Sequence, residues 1–254
     1  MKAFTKTLAA SLCAGALSLA AASASAATVN LTETGQLFNG TAPEMVVRTP
    51  GNPATQMWVG GYTELVNSVS GTSLFAAGQS IISWCLDVAL GKGTTADYTV
   101  TEVTGDTTPS WVSKLGQLFT QFGSQVTDVI SSAAMQLAVW EIVGDTGTTG
   151  TPTYSLGSGN FQASAMTTGD YIASSTAARD LAESWLGAMN ANPNAWGDGY
   201  RIVKLTYGDI PDKQDLVTFI PTPLPGAALL FLSALGLGIF SRRKGGTDKG
   251  ALAV

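Results

Sequence analysis

Two residues of this chain carry chemistry that their surroundings do not explain. Cys85 stands near the end of an apolar, β-branched run, within Ser83-Trp84-Cys85-Leu86-Asp87, and the only other cysteine is Cys13. Cys13 falls in an N-terminal segment that reads as a removed leader, so the exported chain keeps Cys85 alone. Oxidising compartments ordinarily leave cysteines in pairs or absent. The second residue is Gln136. Val129, Ala133, Gln136, Trp140 and Val143 recur at spacings of 4, 3, 4 and 3, one stripe of a helix with the glutamine at its centre. A primary amide in an apolar stripe must find partners or lose about 1–3 kcal/mol. One reaction resolves both oddities: the Gln136 side-chain carbonyl acylates the Cys85 sulfur, ammonia departs, and an internal thioester remains. The other reading is an unreacted buried cysteine beside a hydrogen-bonded core glutamine.

Composition narrows the alternatives. The sequence contains no histidine, which excludes Ser-His-Asp and Cys-His hydrolases, His-ligated zinc or haem, and His-based pH switches. A hydrolase built on Cys85 would have only carboxylates or lysines as its base, so an enzyme is not expected. No cofactor or metal is expected either. Residues 144–160 read as a long solvated loop whose acidic residues are too sparse for a calcium motif. Gly91-Lys92-Gly93 lacks the flanking glycine and Ser/Thr of a phosphate loop. Between residues 27 and 220, seven basic residues stand against seventeen acidic ones, which argues against nucleic acid or an anionic lipid surface as a partner.

The elements that must position the pair follow from pattern. Alternating or β-branched runs at 28–32, 45–49, 56–66, 80–88, 98–103, 200–207 and 216–220 predict strands separated by Gly/Thr/Pro-rich turns. Helical periodicity covers 110–122, 126–143 and 174–189 instead. Strands, then helices, then strands again predict an α+β domain: a β-sandwich or barrel with a helical insertion.

The residues of the pair also carry a resemblance. An aromatic-Cys-aliphatic-acidic stretch, Trp84-Cys85-Leu86-Asp87, followed some fifty residues later by Met135-Gln136-Leu137-Ala138-Val139-Trp140, resembles the thioester domains of bacterial surface adhesins. Gly157-Ser158-Gly159-Asn160-Phe161 and Leu181-Ala182-Glu183-Ser184-Trp185-Leu186 are similar to that family too, and the likeness spans roughly residues 75–189. The resemblance implies Cys85 as the thioester sulfur and Gln136 as the acyl donor. It further implies that a nucleophile on a host or surface molecule, typically a lysine amine, attacks the thioester carbonyl, becomes amide-linked to Gln136 and releases Cys85. That is single-use attachment rather than turnover. Such a site needs a poorly solvated acyl group and an acceptor for the amine proton; Asp87 and Glu141 are the nearest carboxylates by sequence.

Both ends read as addresses. Residues 1–26 combine Lys2 and Lys6, an apolar run, and Ala24-Ser25-Ala26, the pattern of a cleaved signal peptide. Residues 221–226 are proline-rich, an uncharged apolar stretch predicts one transmembrane helix over 227–241, and Arg242-Arg243-Lys244 opens a basic tail at 242–254. Pro223, Leu224 and Pro225, the short span, and Arg242 and Arg243 together resemble the PEP-CTERM class of sorting signals in its Val-Pro-Leu-Pro-Ala form. That resemblance implies an exosortase-type processing protease as a partner. The domain of residues 27–220 would then be anchored in the inner membrane facing the periplasm, and afterwards reach the cell surface or extracellular matrix. Two functions remain in view: covalent attachment to an amine- or hydroxyl-bearing surface target, or a passive structural matrix protein with the same fold and no thioester.

Overall fold

Short runs of alternating burial set the strands of this chain. A computed structural model describes residues 26–88, 90–91, 93–103, 111–145, 153–193, 199–208 and 213–222. Pro223, Leu224, Pro225, Arg242, Arg243 and the helix expected over 227–241 lie outside the described residues, as does the leader up to residue 25. In chain order the elements are β1 (Thr28–Gln36), β2 (Glu44–Arg48), β3 (Thr55–Trp58), β4 (Tyr62–Ser70), β5 (Ser80–Cys85), β6 (Thr95–Val103), α1 (Trp111–Phe122), α2 (Val129–Asp145), β7 (Gln162–Ala165), α3 (Ile172–Ala191), β8 (Tyr200–Tyr207) and β9 (Leu216–Pro221).

Six strands close into an antiparallel barrel in the order β1-β4-β5-β9-β8-β6, and β3-β2-β7 form a separate small sheet. Of the two predicted architectures it is the barrel: every barrel strand has a partner on both sides, which removes the edges a sandwich would leave. On β1, Val29 and Leu31 point into the core while Asn30 and Thr32 face out. Outside, Asn30 donates to Asp97 at 2.7 Å, Asn67 donates to Asn30 at 2.7 Å, and the hydroxyls of Thr32 and Thr95 meet at 3.0 Å. That polar cross-strand ladder fixes the β4-β1-β6 register from the solvent side.

The expected strand 56–66 is two strands in different sheets, broken at Gly60-Gly61. A Cβ on Gly61 would lie 2.9 Å from Trp84 Nε1, so only glycine lets the chain cross between the sheets against that indole. Strand β7, Gln162-Ala163-Ser164-Ala165, lacks β-branched residues and gave no strand pattern; pairing with Met45 to Arg48 of β2 makes it one.

α1 buries one face through Val112, Leu115, Leu118, Phe119 and Phe122. α2 departs from the single apolar stripe read in its sequence, since every residue from Ser131 to Ile142 is buried. It lies between β5 on one side and α1 and α3 on the others, and a helix covered all round needs no polar face. Its start is a capping arrangement: Asp128 Oδ1 accepts the Ser131 N–H at 2.7 Å, and Ser131 Oγ accepts the Asp128 N–H at 3.0 Å. The bonds that Oδ1 accepts from the Ser131 N–H and, at 2.7 Å, from the Ser131 hydroxyl hold the Asp128 carboxyl below its usual range.

Candidate functional site

The site begins where a strand stops. β4 ends at Tyr62, opposite Ser83 of β5, two residues short of Cys85. Along a strand, successive residues turn their N–H and C=O groups to opposite sides. Leu86 donates to Asp215 O on the β9 side at 2.9 Å, so Cys85 presents its own N–H and C=O toward the side β4 has left. α2 fills that place. Cys85 N donates to Gln136 Oε1 at 2.9 Å, and Gln136 Nε2 donates to Cys85 O at 2.8 Å. The carboxamide continues the ladder in place of a strand. One helical turn earlier, Ser132 Oγ accepts the Gly61 N–H at 2.8 Å, so residues i and i+4 of α2 secure the ends of β4 and β5 together.

This pairing sets the carboxamide carbon of Gln136 against the residue that bears the thiol, in a place closed to water. Cys85 is 3% exposed and Gln136 1%. Trp84 covers the strand with edge contacts to Phe119 and Phe219. Tyr62 and Tyr98 share the surroundings, and burial, with the neighbouring Cys85 and Glu64 adding to it, pushes both phenols well above their usual range. A backbone donor already aimed at Oε1 polarises the carbonyl and can stabilise negative charge on that oxygen during acyl transfer. The exclusion of water from this place slows hydrolysis of any acyl group formed there.

The two carboxylates read as proton acceptors sit elsewhere in the framework. Asp87 follows the end of β5, and its Oδ2 accepts the Asp215 N–H at 2.8 Å while its carbonyl accepts Gln214 Nε2 at 3.0 Å. Burial pushes its carboxyl up and nearby Asp215 adds to that; the Asp215 N–H and Lys204 pull it down. It ties β5 to the β8–β9 connection. Glu141 comes five residues after Gln136, about 140° round the helix. It is fully buried, and its Oε1 accepts the Ser155 N–H at 2.7 Å. Burial, then the adjacent Asp145 and Glu183, push its carboxyl up to about 9 against the opposing Ser155 bond. The structure brings Cys85 and Gln136 together and places Glu141 on a different face of α2.

Glu141 and Asp145 act together on residues 153–161. Asp145 Oδ1 accepts the N–H groups of Asn160 at 2.5 Å and Phe161 at 3.3 Å. Tyr154, Leu156 and Phe161 are buried, so the loop is anchored onto α2 at these residues, while 157–160 are exposed as its polar sequence predicts. The residues that sequence reasoning missed are Ser132, Gly61 and Asp145. Ser132 could have been found as a second polar residue four positions from Gln136 in an apolar helix.

Among the described residues no group of three potential metal ligands converges, and no helix is long and apolar enough to cross a membrane. No family model matches the chain, and no curated protein does. Two solved structures are similar to it. The N-terminal thioester domain of fibronectin-binding protein SfbI from Streptococcus pyogenes aligns at 11% identity with a TM-score of 0.40, covering 73% of this chain and 96% of that one. The N-terminal domain of the Streptococcus pyogenes pilus tip adhesin Cpa aligns at 10% identity with a TM-score of 0.38, covering 74% and 99%.

Proposed function

We propose that this protein is an exported surface protein that attaches itself covalently, once, through a Cys85–Gln136 thioester. The observation that carries the reading is the reciprocal pair of hydrogen bonds between the Gln136 carboxamide and the Cys85 backbone, buried where a strand would otherwise lie. In the forming step the Cys85 sulfur bonds to Gln136 Cδ, the Cδ–Nε2 bond breaks, and the thiol proton leaves with the nitrogen as ammonia. In the attaching step an amine, or a hydroxyl, on the target bonds to Cδ, the Cδ–S bond breaks, and the nucleophile's proton returns to the sulfur. Delivery would use the leader, the Pro223-Leu224-Pro225 motif and an exosortase-type protease, with transient anchoring in the inner membrane by the apolar stretch at 227–241.

The experiment is intact mass followed by amine challenge. The protein should be lighter by one ammonia than its sequence requires, and methylamine should add to Gln136 while one thiol appears at Cys85, the two products rising together. A full sequence mass with no adduct at Gln136 in the folded protein would sink the covalent reading. A second reading is favoured by one feature of the same site. Gln136 has partners on both its oxygen and its nitrogen, so the intact amide is stable where it stands, as in a passive matrix protein that keeps the fold without the bond.

A further inference from the structure

A shallow pocket of about 440 Å³ opens where the end of β1, the loop that follows it and the end of β3 meet, and Gln36, Phe38, Asn39, Thr41 and Trp58 line it. Its volume falls in the ordinary range of ligand sites, about 300–1,000 Å³. The loop is held at both ends against the crossover between the two sheets: Leu37 N donates to Gly61 O at 3.0 Å, and Val59 N donates to Pro43 O at 3.0 Å. Trp58 is 48% exposed, yet its indole is positioned, since it meets Tyr171 edge to face with ring centroids 5.8 Å apart. The Ala42 N–H donates to Gln36 Oε1 at 3.2 Å, which leaves the nitrogen of that amide with both its donors. Among the described residues, Gln36 Nε2, the Asn39 amide and the Thr41 hydroxyl make no hydrogen bond to the protein.

We propose that this pocket binds a neutral oligosaccharide, with the Trp58 indole stacked on the apolar face of a sugar ring and Gln36, Asn39 and Thr41 bonded to its hydroxyls. None of the residues lining the pocket carries a charge, and residues 27–220 hold seventeen acidic residues against seven basic ones. An anionic ligand would meet a repulsive field and no counter-charge. A purely apolar ligand would strip water from three polar side chains and return no hydrogen bond. A sugar hydroxyl both donates and accepts, which suits amides and a hydroxyl that do the same. A proline-rich segment, another guest of exposed aromatic rings, offers carbonyl acceptors alone. The ring C–H groups of a sugar are weakly positive and meet the negative face of an aromatic ring favourably. The anchored loop and the braced indole reduce what must be ordered on binding. Neither Cys85 nor Gln136 lines the pocket, so this is a reversible recognition site that goes beyond the covalent reading and does not need it.

The test is titration calorimetry of the full-length protein with cellohexaose, laminarihexaose, maltohexaose and mannohexaose, set against hexagalacturonic acid and a proline decamer. At least one neutral hexasaccharide should bind, and more tightly than the galacturonate or the peptide. Trp58→Ala should weaken that binding by at least about tenfold, the ordinary loss on truncating an aromatic anchor, and Trp58→Phe, which keeps a ring face, should recover part of it. The side chain is exposed, so melting temperatures near the parent's certify that both variants fold. Cys85→Ala should bind the saccharide as the parent does. No neutral hexasaccharide bound, tighter binding of the galacturonate or the proline decamer, or undiminished binding by Trp58→Ala would each overturn the inference and leave the thioester reading untouched. Binding lost in a folded Cys85→Ala protein would overturn the independence of this site from the Cys85–Gln136 pair.

Discussion

The Asp145 carboxylate occupies the space that a side chain on residue 159 would need: a Cβ built on Gly159 comes within 1.8 Å of Asp145 Oδ2. Gly159 also holds φ at +99°, in the region that favours glycine. From this position the chain turns so that the next two N–H groups reach Asp145 Oδ1.

Gly159→Ala should therefore be strongly destabilising, by about 2–4 kcal/mol from strain and lost carboxylate bonds combined. Thermal unfolding measures it. Hydrogen exchange should show the 155–161 amides losing protection before the barrel amides do. A melting temperature equal to the parent's would remove Asp145 from its assigned role.

Gln136→Ala leaves the Cys85 N–H and C=O buried beyond the end of β4 with nothing to replace the carboxamide. With the carboxamide intact the expected cost is about 2–6 kcal/mol, from two backbone groups at about 1–3 each, read as a lower urea midpoint; in the thioester form Nε2 has already left and only the Cys85 N–H loses a partner. The variant should also label with a maleimide at Cys85 once unfolded, whereas the parent stays unlabelled in a mild denaturant that spares thioesters. Equal labelling of both proteins would mean there was no bond to lose.

The buried Glu141 makes stability depend on pH. Its carboxyl titrates near 9 in the fold against an ordinary 4.5 in the unfolded chain. Between those values the folded protein holds the extra proton, so this group's contribution is greatest below about 4.5, declines as pH rises toward 9, and changes no further above it. Glu141→Gln keeps the acceptor for Ser155 and stays neutral at every pH. The variant should melt higher than the parent at pH 8, by about 2–4 °C for each kcal/mol recovered, and the difference should shrink at pH 5. A constant difference across that range would contradict the assignment.

Replacing Arg242, Arg243 and Lys244 with glutamine should disturb delivery, because basic residues after an apolar stretch hold its end in the cytoplasm. Cell fractionation and the mass of the mature protein report the outcome. Unchanged location and unchanged processing would count against a sorting role for the cluster.

The pairing of Cys85 with Gln136 was legible in the sequence because both members violate a local rule: a thiol in a strand with no second cysteine among the described residues, and an amide inside an apolar helix. The barrel strands with clean alternation were legible for the same reason as the core, since Val29 and Leu31 on β1, and Val203 and Leu205 on β8, are buried two residues apart. What escaped is set by partners distant in sequence. Nothing local tells that Gly60-Gly61 hands the chain from one sheet to another, because the cause is the Trp84 indole. Nor does local sequence tell that Ser155 and Asn160 are tied down, because their acceptors are on α2. Glu141 was placed beside the seam by closeness in number, while helix geometry carries position 141 to another face.

The barrel is not zipped evenly. β8 meets β9 along a full ladder from Tyr200–Pro221 to Leu205–Leu216. Among the described residues the β5–β9 ladder has two pairs, Trp84–Val217 and Cys85–Leu216, extended past the strand end by the Leu86 N–H to Asp215 O. The shortest seam of the cylinder thus includes the thiol-bearing residue, with Gln136 pinned to its opposite edge. Breathing of this protein should start there, as a local parting of two strands at a fraction of the free energy of global unfolding. Each such opening would loosen the strand that carries Cys85, so that in the proposed thioester form the lifetime of an unspent molecule would follow the dynamics of one short seam and not the stability of the domain.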